Sequence, residues 1–407
     1  MERRTVGSDD SPCPPGPLAG VRVLDLTRVL SGPYCTALLA DLGAEVVKIE
    51  SPRGDEYRRI GPFRMGESAL FQLVNRNKQS VVLDLKQASD RALAQRLAAA
   101  ADVLVENFRP GVAERLGLGH AECTRANPRL IYASISGFGQ DSQARDLPAF
   151  DLIAQALSGL MAMTGAPEGP PMKVGESVGD LCAGLFCAWA IGAALFERTK
   201  TGRGRRIDVG MVDSLVALLP TAVAQWMCGQ APVRTGNRHP ISTPFGAFKA
   251  CDGYVVICVL DQSQFARLAE CMGRGELASD PRFASDALRT RFEPALTGML
   301  EEWLAPLSVA QALERLREAG VPASAIEEPS QVFAGAHVVE RQLLSTVQHP
   351  RLGAIPAMEQ PVHFAGLPRA HQEPAPALGE HTGIVLERWL QLSTGAAAGP
   401  PADRGST

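Results

Sequence analysis

From Val21 onward, short apolar runs alternate with longer amphipathic ones. VRVLDL (21–26), EVVKIE (45–50), SVVLDL (80–85), DVLVEN (102–107) and LIYASIS (130–136) are dense in aliphatic and β-branched residues and predict strands. Between them, PYCTALLADLG (33–43), with Pro33 near its start and Gly43 at its end, and QASDRALAQRLAAA (87–100) predict helices. Strands alternating with helices give an α/β fold with a mostly parallel, doubly wound sheet, whose ligands sit at the carboxyl ends of the strands. The unbroken apolar or small run from Leu181 to Phe196 is short for a membrane span and ends in charged residues, so it predicts a buried helix.

After Lys200, TGRGRRIDVGMVDSLVALL (201–219) predicts a turn, a strand and a helix. The irregular QAPVRTGNRHPISTP (230–244) then marks the passage to a second domain. That domain opens with FGAFKACDGYVVICVL (245–260), two strands around a Cys-Asp-Gly turn, and continues with helices near Gln262–Met272 and Val309–Ala319. STGAAAGPPADRGST (393–407) predicts a disordered tail, and the polar start, which has no apolar segment behind its arginine pair, a flexible leader over 1–17.

A length of 407 residues favours two domains, and 45% hydrophobic against 21% charged residues is a soluble, globular balance. The net charge of −4 offers no general attraction to nucleic acid or to an anionic membrane, so neither is expected as a partner. A phosphate-bearing ligand would need a local cluster of cations. Nine cysteines without a C-x-x-C pair argue against a disulfide framework or a zinc ribbon; a reducing compartment, the cytoplasm, and no metal site are expected.

Two nucleophiles stand three residues apart in KVGESVGDLCAG (173–184). Gly175 to Gly179 fits G-x-S-x-G around Ser177, but a hydrolase elbow needs a strand running into it. The preceding TGAPEGPPMKV (164–174) is a Pro/Gly loop, and the base would have to be the distant His381. Asp180 reads as the N-cap of a helix starting at Leu181, and also as a carboxylate able to attack an activated carbonyl. Small residues at Gly179, Ala183 and Gly184 allow a close approach there. Glu50 ends the second strand as a ribose-binding acid would, yet the first turn, TRVLSGPYC (27–35), carries one glycine where a dinucleotide loop needs three. Four cations, Arg28, Lys86, Arg109 and Arg115, follow predicted strands and would gather at one sheet edge, where they could grip phosphates.

Taken in order, GVRVLDLTRVLSGPYCTALLADLGAEVVKIE, NRNKQSVVLDLK, ADVLVENFRPGVAERLGLG, NPRLIYASISGFGQ, PAFDLIAQALSGLMAMTG, VGDLCAGLFCAWAIGAALFERTKTGRGRRIDVGMVDS and LGEHT resemble the class III CoA-transferases, the CaiB/BaiF family, from about Leu18 to Leu392. That family includes formyl-CoA transferase, carnitine CoA-transferase and 2-methylacyl-CoA racemases. The resemblance implies that Asp180 is the catalytic carboxylate. It implies coenzyme A contacts at Arg28, Val29, Leu83 to Lys86, Asn107, Phe108, Arg109 and Arg115. It further implies a Rossmann-like large domain built from both chain ends (18–220 and 336–392), a smaller central α+β domain (221–335), and an interlocked homodimer. Coenzyme A enters as a substrate moiety, with no separate cofactor.

The racemases that the sequence resembles carry a histidine directly before the Asp of the D-L-I segment; here that position is Phe150, which cannot transfer a proton. A transferase moving CoA from an acyl-CoA, with succinyl-CoA as a candidate donor, to a free acid is therefore expected. A racemase or a non-catalytic CoA-binding protein is the alternative. The tetraglycine loop of formyl-CoA transferase is missing, which disfavours formate and oxalate and leaves a small dicarboxylic acid such as succinate, itaconate, citramalate or glutarate. Arg238 and His239 are candidates for the acceptor carboxylate.

Overall fold

The computed structural model describes residues 16–367 and 372–392, so the expected tail and all but the last two residues of the expected leader lie outside the described residues. In chain order the elements that matter are β1 (Arg22–Asp25), α1 (Ser31–Asp41), β2 (Glu45–Glu50), β3 (Lys78–Val82), α2 (Ala88–Ala100), β4 (Val103–Glu106) and β5 (Ile131–Ser136). They continue as α3 (Asp151–Leu157), α4 (Val178–Thr201), β6 (Arg206–Gly210), α5 (Met211–Val216), β7 (Phe245–Lys249), β8 (Tyr254–Cys258), α6 (Gln262–Cys271), α7 (Glu293–Leu304), α8 (Val309–Glu318) and β9 (Ala323–Ala325). The chain closes with β10 (Leu344–His349), β11 (Gly353–Met358) and α9 (Thr382–Leu390).

Contacts divide the chain into two compact units. Gly159–Val174 and Pro220–Val338 form one, and the remaining described residues form the other. The sequence boundaries at 220 and 335 fall close to this division, but the sequence reading kept 159–174 with the large domain, whereas its contacts are with the smaller unit.

The larger unit holds a six-stranded sheet in the order β3-β2-β1-β4-β5-β6. Every pairing is parallel, with Val23 opposite both Val46 and Val103. Parallel strands covered on both faces need apolar residues in both alternations, which is why these runs are near-continuously aliphatic. Leu24, Val47, Val81 and Leu104 pack with Leu97 of α2 and with Val385 and Trp389 of α9. The alternate residues Val23, Val46 and Val103 are equally buried, on the opposite face by strand alternation. The strand order reverses between β1 and β4, and the loops that leave their carboxyl ends, Leu26–Leu30 and Asn107–Gly111, flank the crevice where such sheets bind ligands.

The LGEHT segment closes the free edge of β3. His381 N–H donates to Ser80 O at 2.9 Å, Val82 N–H to Thr382 Oγ1 at 3.1 Å, and Gly379 N–H to Ser80 Oγ at 2.9 Å. An unpaired edge strand is thereby covered by the chain's own end.

The apolar run is a helix longer at both ends than its hydrophobic part, Val178–Thr201, ended by Gly202 at φ +69°. It has the length and composition of a membrane span, but it is not buried all round as expected. Ala183, Gly184, Cys187, Ile191 and Ala194 face the protein, while Leu185, Trp189 and Phe196 are exposed. Its buried face crosses α1 closely. A Cβ on Gly184 would meet Ser31 O at 2.5 Å, so only glycine permits this approach.

The smaller unit is α+β. β9-β8-β7 is an antiparallel sheet, and Phe248, Val255, Ile257, Phe265, Leu300 and Leu316 share its core. Its helices begin on side-chain caps: Asp261 accepts from Gln264 N–H at 2.7 Å, and Ser308 with Gln311 forms a capping box.

Candidate active site

Two adjoining cavities open at the sheet's switch point. The first, about 290 Å³, is lined by residues after β1, β2 and β3, among them Arg28, Arg53, Arg59, Leu83 and Lys86, with Phe108. The second, about 420 Å³, shares Arg28, Glu56 and Phe108 with it and runs past Val29, Asn107 and Arg109 to Phe150 and Asp180. The fold thus brings Asp180 and every expected CoA contact but Arg115 to one crevice. Arg115 stands apart: it is exposed at the end of a short helical turn, and it lines neither cavity.

Arg28 pairs with Glu56 at 2.9 Å and lies over the Phe108 ring at 5.3 Å. Arg53, Arg59, Lys86 and Arg109 have no carboxylate partner among the described residues and supply the uncompensated positive charge. Arg53 and Arg59 escaped the sequence reading, although SPRGDEYRRIG places three arginines directly after the second strand. The acids beneath are already neutralised: Lys48 pairs with Asp55 at 2.9 Å, and Arg58 meets Glu50 with two bonds of 2.7 Å.

Asp180 is not the N-cap of its helix. The helix begins at Val178 with Ser177 at the cap position, and Asp180 is its third residue. The expected start was too late because the true cap comes from another element. Asp151, the first residue of α3, accepts the Gly179 N–H through Oδ1 at 2.7 Å, while its Oδ2 accepts from the buried Gln155 amide at 2.7 Å. A tertiary cap of this kind satisfies a first-turn donor without leaving any local signature. It also removes Gly179 N–H from the groups free to stabilise an oxyanion. The first-turn N–H groups of Val178 and Asp180 lie outside the helix ladder, which starts with Leu181 N–H on Ser177 O at 3.1 Å.

Burial, reinforced by the Asp151 charge, pushes the Asp180 carboxyl up to about 6, against hydrogen bonds from the Ser31 hydroxyl and backbone N–H that draw it down. Desolvation and the second carboxylate thus work against the ionised form that a helix N-terminus favours. Tyr57, which also went unread in the sequence, stands in the field of Asp180; burial first, and that charge second, push its phenol up to about 12.

Ser177 lacks the strand that a nucleophile elbow requires, since 164–177 contains none. His381 is committed to the β3 edge through its backbone N–H, and its Nδ1 lies 3.4 Å from Ser80 N. Among the described residues no histidine lines the Asp180 cavity, and Phe150 is 69% exposed on its wall. Arg238 and His239 belong to the smaller unit, where Arg238 pairs with Glu293 and the His239 ring packs edge-on to Phe245 at 4.9 Å. No cluster of three or more His, Cys, Asp or Glu side chains suited to a metal occurs among the described residues.

The sequence profile of CoA-transferase family III matches residues 18–382. Among curated relatives, the chain is 43% identical to an acetyl-CoA:oxalate CoA-transferase of Acetobacter aceti, covering 92% of this chain and 96% of that one. It is 39% identical to a succinyl-CoA:mesaconate CoA-transferase of Haloarcula hispanica (96% and 98% covered) and 38% identical to the succinyl-CoA:glutarate CoA-transferase of Mus musculus (93% and 88%). Among solved structures, a CaiB/BaiF family protein from Brucella suis superposes with a TM-score of 0.81 at 34% identity, covering 92% of this chain and all of that one. Rv3272 from Mycobacterium tuberculosis gives 0.82 at 32%, covering 91% and 99%. With the match spanning most of the chain, this protein belongs to CoA-transferase family III and is an enzyme of that class.

Proposed function

We propose that the protein moves CoA from an acyl-CoA donor to a free carboxylic acid through an aspartyl-CoA thioester on Asp180. One observation carries this reading: Asp180 lines the same cavity as the switch-point loops that bear Arg28, Asn107, Phe108 and Arg109. The Asp180 carboxylate attacks the donor's thioester carbonyl; the C–S bond breaks, giving a mixed anhydride and CoA thiolate. The thiolate attacks the Asp180 carbonyl carbon and expels the donor acid as carboxylate. The acceptor carboxylate then attacks the aspartyl thioester and the steps run in reverse, with no net proton taken up or lost. In this scheme the first-turn N–H groups of Val178 and Asp180 are the candidates to meet the oxyanion.

Coenzyme A is a substrate here, and neither a metal nor a separate cofactor has a role in the scheme. Arg53, Arg59, Lys86 and Arg109 offer its phosphates unpaired cations at the crevice. The acceptor we favour is a short dicarboxylic acid with succinyl-CoA as donor, in line with the relatives named for mesaconate and glutarate. The relative named for oxalate returns oxalate to the acceptor panel despite the missing tetraglycine loop. Phe150 and the histidine-free wall favour transfer over racemisation. The working unit in this reading is a cytoplasmic homodimer, with the exposed side of α4 as an apolar surface for a second copy.

The test incubates the enzyme with succinyl-CoA and a panel of acids, in parallel with a 2-methylacyl-CoA in deuterated water. New acyl-CoA that forms only when an acid is added supports the proposal. Deuterium entering the α-position without any acid would replace it with the racemase reading.

A further inference from the structure

We propose that Lys48, Asp55 and Asn107 are positioning residues that lock the loop after β1 in the one shape able to receive coenzyme A, an inference that rests on the CoA-transferase reading above. Across Thr27–Val29 the backbone polar groups are held by side chains and not by secondary structure. Thr27 N–H donates to Asp25 Oδ1 at 2.8 Å, and Thr27 O accepts from Lys48 Nζ at 2.7 Å. Arg28 N–H donates to Asn107 Oδ1 and Arg28 O accepts from Asn107 Nδ2, both at 2.8 Å. Val29 N–H donates to Asp55 Oδ1 at 3.1 Å, and Lys48 reaches Asp55 Oδ2 at 2.9 Å, joining the two sides of the clamp.

The clamped conformation is one the chain would not choose. Val29 sits at φ +67°, the left-handed region that a β-branched residue disfavours and that persists only where the surroundings over-determine it. The clamp's chemistry is also ill suited to stability alone. Lys48 and Asp55 are buried together, an arrangement that well-packed apolar residues commonly match or better for stability. What an apolar pair cannot do is hold a carbonyl on one side of Arg28 and an N–H on the other. Asn107, expected to touch coenzyme A, commits its amide to Arg28 and to Ser31 Oγ at 3.3 Å. Its effect on the ligand is therefore exerted through the loop, which leads into α1 with Ser31 as its first residue. Without the clamp Val29 would relax to negative φ and carry Arg28 and Ser31 off the crevice.

The test is CoA affinity by titration calorimetry on the full-length enzyme, with steady-state KM for both substrates and melting temperature. Asp55→Ala should weaken CoA binding and raise KM for acyl-CoA about tenfold or more, leaving KM for the acceptor unchanged. Asp55→Asn keeps an oxygen for the Val29 N–H and should recover affinity to within about threefold of the native enzyme. Val29→Gly takes up the left-handed conformation without strain and leaves the clamp bonds intact, so it should bind CoA within about threefold of the native enzyme. If Asp55→Ala fails to fold, Lys48→Met, which removes the bond to Thr27 O, carries the test with the same expected loss of CoA affinity. Native affinity in Asp55→Ala (or in Lys48→Met, where it stands in), or no recovery in Asp55→Asn, overturns the clamp. Failure of the native enzyme to bind CoA would instead overturn the transferase reading beneath it.

Discussion

Burying Asp180 costs stability, and the chemistry proposed for it accounts for that cost. Its carboxyl is raised from the ordinary 3.8 to about 6, so the folded state binds the proton more tightly than the unfolded chain does. The charge therefore opposes folding increasingly as pH rises from about 4 to about 6, and fully above that. Asp180→Asn should lose at least about a thousandfold in turnover, roughly 4 kcal/mol of barrier, because a carboxamide cannot form the anhydride. The same variant should melt above the native enzyme at pH 8, by on the order of 1–2 kcal/mol, and level with it at pH 4. Equal melting at both pH values would show that Asp180 carries no such burden. Because the proposed nucleophile is the ionised form, kcat/KM for acyl-CoA should fall as pH drops through about 6. Asp151→Asn preserves an oxygen for Gly179 N–H while deleting a charge that raises Asp180, so it should move this acid limb to lower pH. An unmoved limb would remove Asp151 from the electrostatics of the site.

At the scale of elements, the crossing of α1 and α4 sets the distance between the loop after β1 and Asp180. Gly184→Ala forces a methyl to within 2.5 Å of Ser31 O, and overpacking of this kind costs about 1–3 kcal/mol. Reduced melting temperature together with reduced kcat is the expected result; a variant with native stability and activity would show that the crossing is free to shift. The parallel strands were legible in the sequence because each is a compact aliphatic run between turn residues, and the small helices around Asp261 and Ser308 because their caps are local. The start of α4 was not, since its cap comes from Asp151 on another helix. The β10–β11 hairpin went unread because Pro350 and Pro356 interrupt LSTVQHPRLGAIPAM, and proline argues against a strand unless the pairing partner is known. Within the candidate site, the motifs already pointed to Asp180 and to most of the loops that line its two cavities. Ser31, Asp151 and the Lys48–Asp55 clamp were not, because their roles exist only once separate strands lie side by side.

For the whole molecule, the apolar side of α4 raises the question of a partner. Leu185, Trp189 and Phe196 fall on one helical stripe, and Trp189 is 71% exposed, a surface that a solitary soluble protein rarely presents. In the proposed homodimer this stripe is covered, so light scattering should give twice the chain mass, and Trp189→Glu should shift the population toward monomer. A native enzyme that remains monomeric at working concentration would leave the stripe without the partner proposed for it. The reaction proposed for this molecule passes through a covalent intermediate on Asp180. Native enzyme incubated with succinyl-CoA and hydroxylamine should lose activity and carry a shift of about +15 Da, the conversion of a carboxylate thioester to a hydroxamate, on the peptide containing Asp180. Full turnover in the presence of hydroxylamine with Asp180 unmodified, and Asp180→Asn still active, would contradict the account.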